Sequence, residues 1–155
     1  MDTPTSDIRG VMISVTNGRL LLPNATVAEV ITYSDPEPVP GAPDWLLGRI
    51  RWRGWRIPMV SFARLAGFSA TEGERGAKVA VLKALSGHPR LPYFCMITQG
   101  FPRLTTVSQD ALLERADSAP LRQGTLMRVM LRDDEAVIPD LEDIEGRLVD
   151  ALEAA

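Results

Sequence analysis

The stretch "RIRWRGWRIP", residues 49–58, holds four arginines and two tryptophans within ten positions. Side chains of a β-strand alternate between its two faces, so the first three arginines share one face while Ile50 and Trp52 share the other. Gly54 interrupts this alternation, and the apolar residues after it alternate in the same way on a returning strand. The stretch therefore predicts an amphipathic β-hairpin that turns at Gly54 and has one half-buried face.

Short β-type segments separated by glycine and proline, twelve of each, extend along most of the chain. Asn17-Gly18 is a signal for a type I′ hairpin turn, and Asp133-Asp134 predicts another tight turn. Ten short strands at this spacing favour an all-β fold, either a barrel or a sandwich. The polar segment 68–77 divides them roughly in half, and short helical turns are compatible with 63–67 and 109–115. The predicted strands are 8–16, 19–23, 26–33, 46–53, 55–62, 78–85, 92–98, 103–107, 125–132 and 135–138.

One helix is predicted, at the C-terminus. Pro139 precedes Asp140, a candidate N-cap, and Asp143 follows three residues later. Apolar side chains then recur at spacings of three and four with acids opposite, which gives a single apolar stripe. The stripe consists of Leu141, Ile144, Leu148 and Leu152.

The overall charge argues against general binding to nucleic acid. The chain has 155 residues with a formal net charge of −3, whereas nonspecific affinity for nucleic acid comes mainly from neutralising phosphates. A platform for single strands also needs aromatic and basic side chains on the same exposed face, and the hairpin pattern separates them. A nucleic-acid-binding small barrel that uses the Arg49–Arg56 cluster remains the alternative function.

The sequence offers no catalytic or metal-binding constellation. The single histidine, His88, lies between Gly87 and Pro89 in a predicted loop, and the single cysteine, Cys95, lies within an apolar strand. Zinc needs three or four ligands, and no phosphate-binding glycine motif is present. We expect no catalytic residue, no metal and no cofactor. A small hydrolase that uses His88 and Cys95 is a third, weaker hypothesis.

The N-terminus and the cysteine content indicate the compartment. "MDTPTSDIRG" has two acids and no apolar stretch, so it is not expected to act as a signal peptide. No apolar run approaches the roughly 20 residues of a membrane-spanning helix. A single cysteine is compatible with a reducing environment. We expect a cytoplasmic protein without membrane insertion.

A longer stretch, "PNATVAEVITYSDPEPVPGAPDWLLGRIRWRGWRIPMVSFARLAG" at residues 23–67, resembles the CheW-like adaptor domain of bacterial chemosensory arrays. Looser agreement follows in "VAVLKAL", "CMITQGFPRLTTV" and "AVIPDLEDIEGRLV", so that the resemblance spans residues 8–153. The order of several motifs makes the match specific. The elements that carry it are Val27, Glu29 and Val30, then residues 38–43, then Gly48, Arg53-Gly54 and Ile57-Pro58-Met59.

The resemblance implies an all-β fold of two small five-stranded SH3-like barrels with a C-terminal helix, within a single CheW-like domain. Lobe one is expected at about 19–67, lobe two at about 8–16 plus 78–140, and the helix at about 141–153. It also implies a non-catalytic scaffold without a cofactor. The implied partners are the regulatory domain of a CheA-type histidine kinase and the cytoplasmic tip of a methyl-accepting chemoreceptor.

Some residues depart from the family pattern. Arg51-Trp52 stand where Asn-Leu is common, and Gln99 replaces an aspartate. "LLLPNATVAEVI" and "QGFPRL" look more like the ChpC-like accessory proteins of type IV pilus systems for twitching motility. The resemblance therefore implies a pilus pathway rather than the main flagellar branch.

The resemblance also implies a partner-binding set, which comprises Val27, Glu29, Gly48, Arg53, Gly54 and Gly100. Arg53 has two interpretations. It is either a solvent-exposed arginine whose ion pairs contribute less than about 1 kcal/mol, or part of a partly buried pair with Glu29 that fixes the hairpin beside a partner groove. The resemblance favours the second.

Overall fold

The computed structural model describes residues 8–73, 75–108, 110–115 and 120–154. Within these ranges the chain forms eleven strands and, apart from a 3-10 turn at Asn24–Thr26, two α-helices. In chain order they are β1 (Ile8–Val15), β2 (Gly18–Pro23), β3 (Val27–Thr32), β4 (Leu46–Trp52), β5 (Trp55–Val60), α1 (Phe62–Leu65), β6 (Ala77–Lys83), β7 (Tyr93–Gln99), β8 (Arg103–Val107), β9 (Leu112–Glu114), β10 (Thr125–Leu131), β11 (Asp134–Pro139) and α2 (Leu141–Ala154).

The strands form two sheets. The six-stranded sheet has the order β8-β1-β2-β11-β10-β9, and the five-stranded sheet has the order β3-β6-β7-β5-β4. Neighbouring strands are antiparallel except for β2 with β11 and β5 with β7. The all-β class with a C-terminal helix is confirmed. One sheet has a sixth strand because β9, in a segment predicted to be compatible with a helical turn, pairs with β10.

The sheets divide the chain differently from the predicted lobes. The two-residue turn Thr16-Asn17 pairs β2 with β1, so residues 18–23 belong to the six-stranded sheet and not to a lobe at 19–67. Strands β6 and β7 complete the sheet of β3, β4 and β5 instead of joining β1. Segment 68–77 therefore connects two strands of one sheet. The five-stranded sheet comes from residues 27–99 without interruption, and the six-stranded sheet comes from both sides of that range.

Side-chain alternation along the strands produces three apolar layers. One face of the five-stranded sheet encloses a cluster around Trp52, Met59 and Cys95. One face of the six-stranded sheet encloses a smaller cluster around Met12 and Val129. The opposite faces of both sheets meet in the largest cluster, which also receives the apolar stripe of α2. The main core thus lies between the sheets, as strands with two apolar faces require.

Helix α2 begins as the sequence predicts. The Asp140 carboxylate accepts a hydrogen bond from the backbone N–H of Asp143 at 3.1 Å, which satisfies one free donor of the first turn. Leu141, Ile144 and Leu148 are buried in the main core and Leu152 is half-buried at its edge. Neither described helix is both long enough and apolar enough to cross a membrane.

Glu145 departs from the pattern of acids on the solvent side of α2. Its side chain is fully buried. Both carboxylate oxygens accept from the backbone N–H of Leu85 at 2.9 Å, and one of them also accepts from Ser86 at 2.8 Å. The carboxylate therefore fastens the loop after β6 to the middle of α2.

Candidate partner-binding site

The β4–β5 hairpin turns at two residues, Arg53 and Gly54, between the cross-strand pair Trp52 and Trp55. Both turn residues have positive φ, 48° for Arg53 and 82° for Gly54, as in a type I′ turn. Glycine adopts this conformation freely, whereas a long side chain such as arginine does so at an energetic cost. The surroundings of Arg53 must therefore offset that cost.

Two contacts hold the Arg53 side chain over the hairpin, and a third joins its two partners. Its Nη2 lies 3.0 Å from Glu29 Oε1, and its guanidinium lies 4.8 Å from the centre of the Trp52 ring. Trp52 Nε1 donates to the same Glu29 oxygen at 2.9 Å. A buried indole N–H needs an acceptor, so the tryptophan at position 52 was the signal in the sequence for this contact. The three side chains form one connected unit, here called the hairpin cluster.

The predicted Arg53–Glu29 pair forms, but the interpretation of Arg53 as partly buried is wrong. The two side chains are 66% and 39% exposed. Water screens such a pair, so we expect it to contribute less than about 1 kcal/mol to folding. The pair positions a guanidinium at the surface more than it stabilises the chain.

The hairpin cluster also joins the two edges of the five-stranded sheet. β3 and β4 are the outermost strands of that sheet, and Glu29 and Trp52 lie one on each. At the middle of β4, Arg49 exchanges two backbone hydrogen bonds of 2.9 and 2.8 Å with Glu37, in the segment that follows β3. These contacts bring the edges together, so the sheet curves into a barrel.

Gly48 is required by this closure. Its φ is 145°, and a Cβ at this position would lie 2.4 Å from the carbonyl oxygen of Glu37. The residue is buried beneath Pro36 and Glu37. Gly48 therefore allows the backbone of residues 36–37 to approach β4.

The remaining residues of the predicted set do not converge on one groove. Val27 pairs with Leu82 at one end of β6, on the same strand as Glu29, and packs half-buried against the main core. Gly100 follows the Ala77–Gln99 pair at the other end of β6. Five residues of strand separate the two positions along β6, which corresponds to about 17 Å. Val27 and the hairpin cluster occupy one end of the barrel and Gly100 the other.

The arrangement of Cys95 and His88 does not support a nucleophilic pair. Cys95 is buried inside the five-stranded barrel, where its thiol donates to the carbonyl of Pro58 at 3.4 Å and burial raises its pKa. His88 lies on the β6–β7 loop, where its Nδ1 accepts from the backbone N–H of Arg90 at 3.2 Å. No group of three or more His, Cys, Asp or Glu side chains among the described residues is placed to hold a metal ion.

The predicted alternation is confirmed on β4 but not on β5, where Trp55 is exposed and residues 57–60 are all buried. Ile50 and Trp52 are buried inside the barrel, whereas Arg51 and Arg53 are exposed. Arg56 lies opposite Arg51 on β5 and pairs with Glu37 at 3.1 Å. The Trp52 ring is buried beneath the Arg53 guanidinium, so its face is not free to stack on a base.

Comparisons with known proteins agree with this geometry. The family model described as the CheW-like domain matches residues 9–147. The structure is similar to the crystal structure of the scaffolding protein TtCheW from Thermoanaerobacter tengcongensis, with a TM-score of 0.72 and 15% sequence identity over 87% of this chain and 85% of that one. A search of the curated proteins found no match. The family model covers most of the chain and the fold agrees with it, so the chain belongs to the CheW-like domain family.

Proposed function

We propose that this protein is a coupling adaptor that connects the cytoplasmic tip of a methyl-accepting chemoreceptor to the regulatory domain of a CheA-type histidine kinase. CheW-like proteins are non-catalytic scaffolds, so the chain is not an enzyme. The adaptor acts in the cytoplasm through protein contacts alone.

One observation assigns the proposed partner binding to particular residues. Arg53 is held in a costly backbone conformation at an exposed position, with Glu29 and Trp52 fixing its guanidinium. Strain of this kind is concentrated at binding sites, where it fixes a group in advance of the partner. A preformed arginine loses less side-chain freedom on binding than a mobile one. The hairpin cluster is therefore the proposed centre of one partner surface.

Val27 and Gly54 extend that surface. A Cβ built at Gly54 would have no other heavy atom within 4 Å, so a partner helix can approach the turn closely. Val27 offers a half-buried apolar contact on the strand that carries Glu29. Gly100, also with open space around it, belongs to a second surface at the far end of the barrel. Gly48 is buried, so it supports the first surface by allowing the barrel to close and does not itself contact the partner.

The test is to measure binding of a receptor-tip fragment and a kinase regulatory domain to Arg53→Ala and Gly100→Arg. Arg53→Ala is expected to weaken at least one partner about tenfold or more with little change in Tm, since losing a charged hydrogen bond at an interface costs about 1.5–3 kcal/mol. Arg19→Ala is the matched control, because Arg19 also forms a solvent-exposed pair, with Asp134 at 3.0 Å on the other sheet. Parent-like binding of both partners by both variants would remove these residues from the adaptor surface.

The pathway is proposed to be a type IV pilus system, on the basis of "LLLPNATVAEVI" and "QGFPRL". Deletion of the gene in the native bacterium should then reduce twitching and leave swimming unchanged. Loss of swimming with normal twitching would assign the adaptor to a flagellar pathway instead.

A further inference from the structure

A groove next to the C-terminal turns of α2 is separate from the hairpin cluster. It is a cavity of about 450 Å³ between α2, the β6–β7 loop and the outer face of β4. A second cavity of about 260 Å³ adjoins it, and Arg49 and Leu152 line both. We call the larger cavity the α2 groove. Its lining includes Arg49, His88, Arg90, Leu91, Val149 and Leu152.

The α2 groove has an apolar floor. Leu91 is buried in the main core, and Val149 and Leu152 are half-buried at its edge. These two α2 side chains complete the apolar face of the helix, which continues beyond the part that the sheets cover. No Trp, Tyr or Phe lines the groove. The floor therefore suits an aliphatic side chain and offers no aromatic surface for a nucleic-acid base.

The rim of the groove carries positive charge that the described residues leave unneutralised. Several arginines form ion pairs with acids, but the guanidinium groups of Arg49 and Arg90 form none with any described residue. Glu153 is the one acid in the lining. The backbone of Arg49 is fixed by its two hydrogen bonds to Glu37, so this cation has a rigid base. The rim is complementary to carboxylates.

We propose that the α2 groove binds an acidic segment of a partner protein, with an aliphatic side chain on Val149 and Leu152 and carboxylates on Arg49 and Arg90. Mixed apolar and acidic chemistry matches a short amphipathic peptide and not a nucleic acid, which would bring phosphates without an apolar anchor. The α2 groove thus gives a role to Arg49, the first arginine of the 49–58 stretch, which is not part of the hairpin cluster. It does not depend on the proposed receptor and kinase partners.

The test uses a fluorescein-labelled 15-residue helical peptide with glutamates along one face and leucines along the other. Its binding is followed by fluorescence anisotropy and by chemical shifts of the full chain. We expect a Kd in the micromolar range, about 10–200 µM, with shifts at Arg49, Arg90 and Leu152. Arg90→Glu and Arg49→Glu should each weaken binding by about fivefold or more, since reversing a rim charge turns attraction into repulsion. The Arg90 variant lies on an exposed loop, so it tests the proposal even if the Arg49 variant fails to fold.

The controls test whether binding depends on the charge of the groove, on the leucines and glutamates of the peptide, and on the ligand being a peptide and not a nucleic acid. Arg75→Glu reverses an exposed arginine outside the groove and should leave the Kd unchanged. A peptide with serine in place of leucine and one with lysine in place of glutamate should both bind more weakly. Absence of binding up to about 1 mM, equal loss in the Arg75 variant, or tighter binding of an oligothymidine of the same length would overturn the proposal.

Discussion

Two glutamates join distant parts of this chain in opposite ways. Glu145 is fully buried and holds the β6–β7 loop to α2 through two backbone N–H groups. Glu29 is 39% exposed and connects β3 to the β4–β5 hairpin through Arg53 and Trp52. The loop junction thus has a buried carboxylate with no cationic partner among the described residues, and the hairpin has a solvated ion pair.

This difference in burial implies that the Glu145 junction contributes mainly to stability and the hairpin cluster mainly to recognition of a partner. Loss of a buried acceptor leaves its donors unsatisfied, which is costly, whereas loss of one half of a solvated pair is nearly neutral. We therefore expect substitutions at the α2 junction to change the free energy of unfolding. Substitutions in the hairpin cluster should mainly change partner affinity.

The largest effect is expected for Leu148→Ala. Leu148 is fully buried in the main core between α2 and the two sheets. Truncation should lower the free energy of unfolding by about 2–5 kcal/mol, because it removes apolar burial and leaves a cavity. Urea unfolding followed by circular dichroism measures the change. A loss below about 0.5 kcal/mol would mean that α2 does not pack as described.

Glu145→Ala should have the next largest effect, a loss of about 1–3 kcal/mol from the unpaired N–H groups of Leu85 and Ser86. Glu145→Gln is the control, because its amide oxygen retains an acceptor and should recover part of the loss. Amide hydrogen exchange at Leu85 and Ser86 should accelerate in the alanine variant. Equal stability of the parent and the alanine variant would show that the contact does not stabilise the junction.

Two glycines should respond with opposite signs to the same substitution. Gly54→Ala should destabilise the chain by about 1–2 kcal/mol, because alanine is strained at a φ of 82° even though the space is open. Gly146→Ala should stabilise it by about 0.5–1 kcal/mol, since Gly146 lies within α2 with open space at its Cβ position. Thermal unfolding measures both. A shift of the same sign in both variants would contradict the turn and helix assignments.

The smallest effect on stability is expected for Arg53→Ala, a loss of less than about 1 kcal/mol. Arg53→Gly separates the two contributions at this position, because it removes the ion pair and also relieves the positive φ. The glycine variant should be at least as stable as the alanine variant, and both should lose partner binding alike. A loss above about 2 kcal/mol in the alanine variant would show that the hairpin cluster has a structural role like that of Glu145.

Local patterns in the sequence predicted most of the local structure, although the turns of the β1–β2 and β10–β11 hairpins lie one residue earlier than predicted, at Thr16-Asn17 and Arg132-Asp133. The β4–β5 hairpin, the Asp140 cap and the apolar stripe of α2 depend on residues within a few positions of each other. The family resemblance brought together Glu29 and Arg53, which lie far apart in sequence. It did not show that the pair is exposed, because exposure depends on what covers the hairpin.

Other features depended on non-local geometry. The pairing of β6 and β7 with β3 and β5 requires a choice among several apolar strands that periodicity alone does not distinguish. Glu145 looked like any acid of an amphipathic helix, and only its proximity to free backbone N–H groups explains its burial. Gly48 matched a family motif, but the reason for a glycine there is the carbonyl of Glu37, eleven positions earlier along the chain.

The chain order of the two sheets has a consequence for how the protein is made. The five-stranded barrel uses only residues 27–99, so it is able to form while the ribosome is still synthesising the rest. The β1–β2 hairpin emerges first but pairs with β8 and β11, which emerge after the barrel. Until then, Met12 and Leu21 lack the partners that cover them in the smaller cluster, which include Val129 and Leu131. We therefore expect the nascent N-terminal hairpin to be prone to aggregate when translation stalls before residue 139.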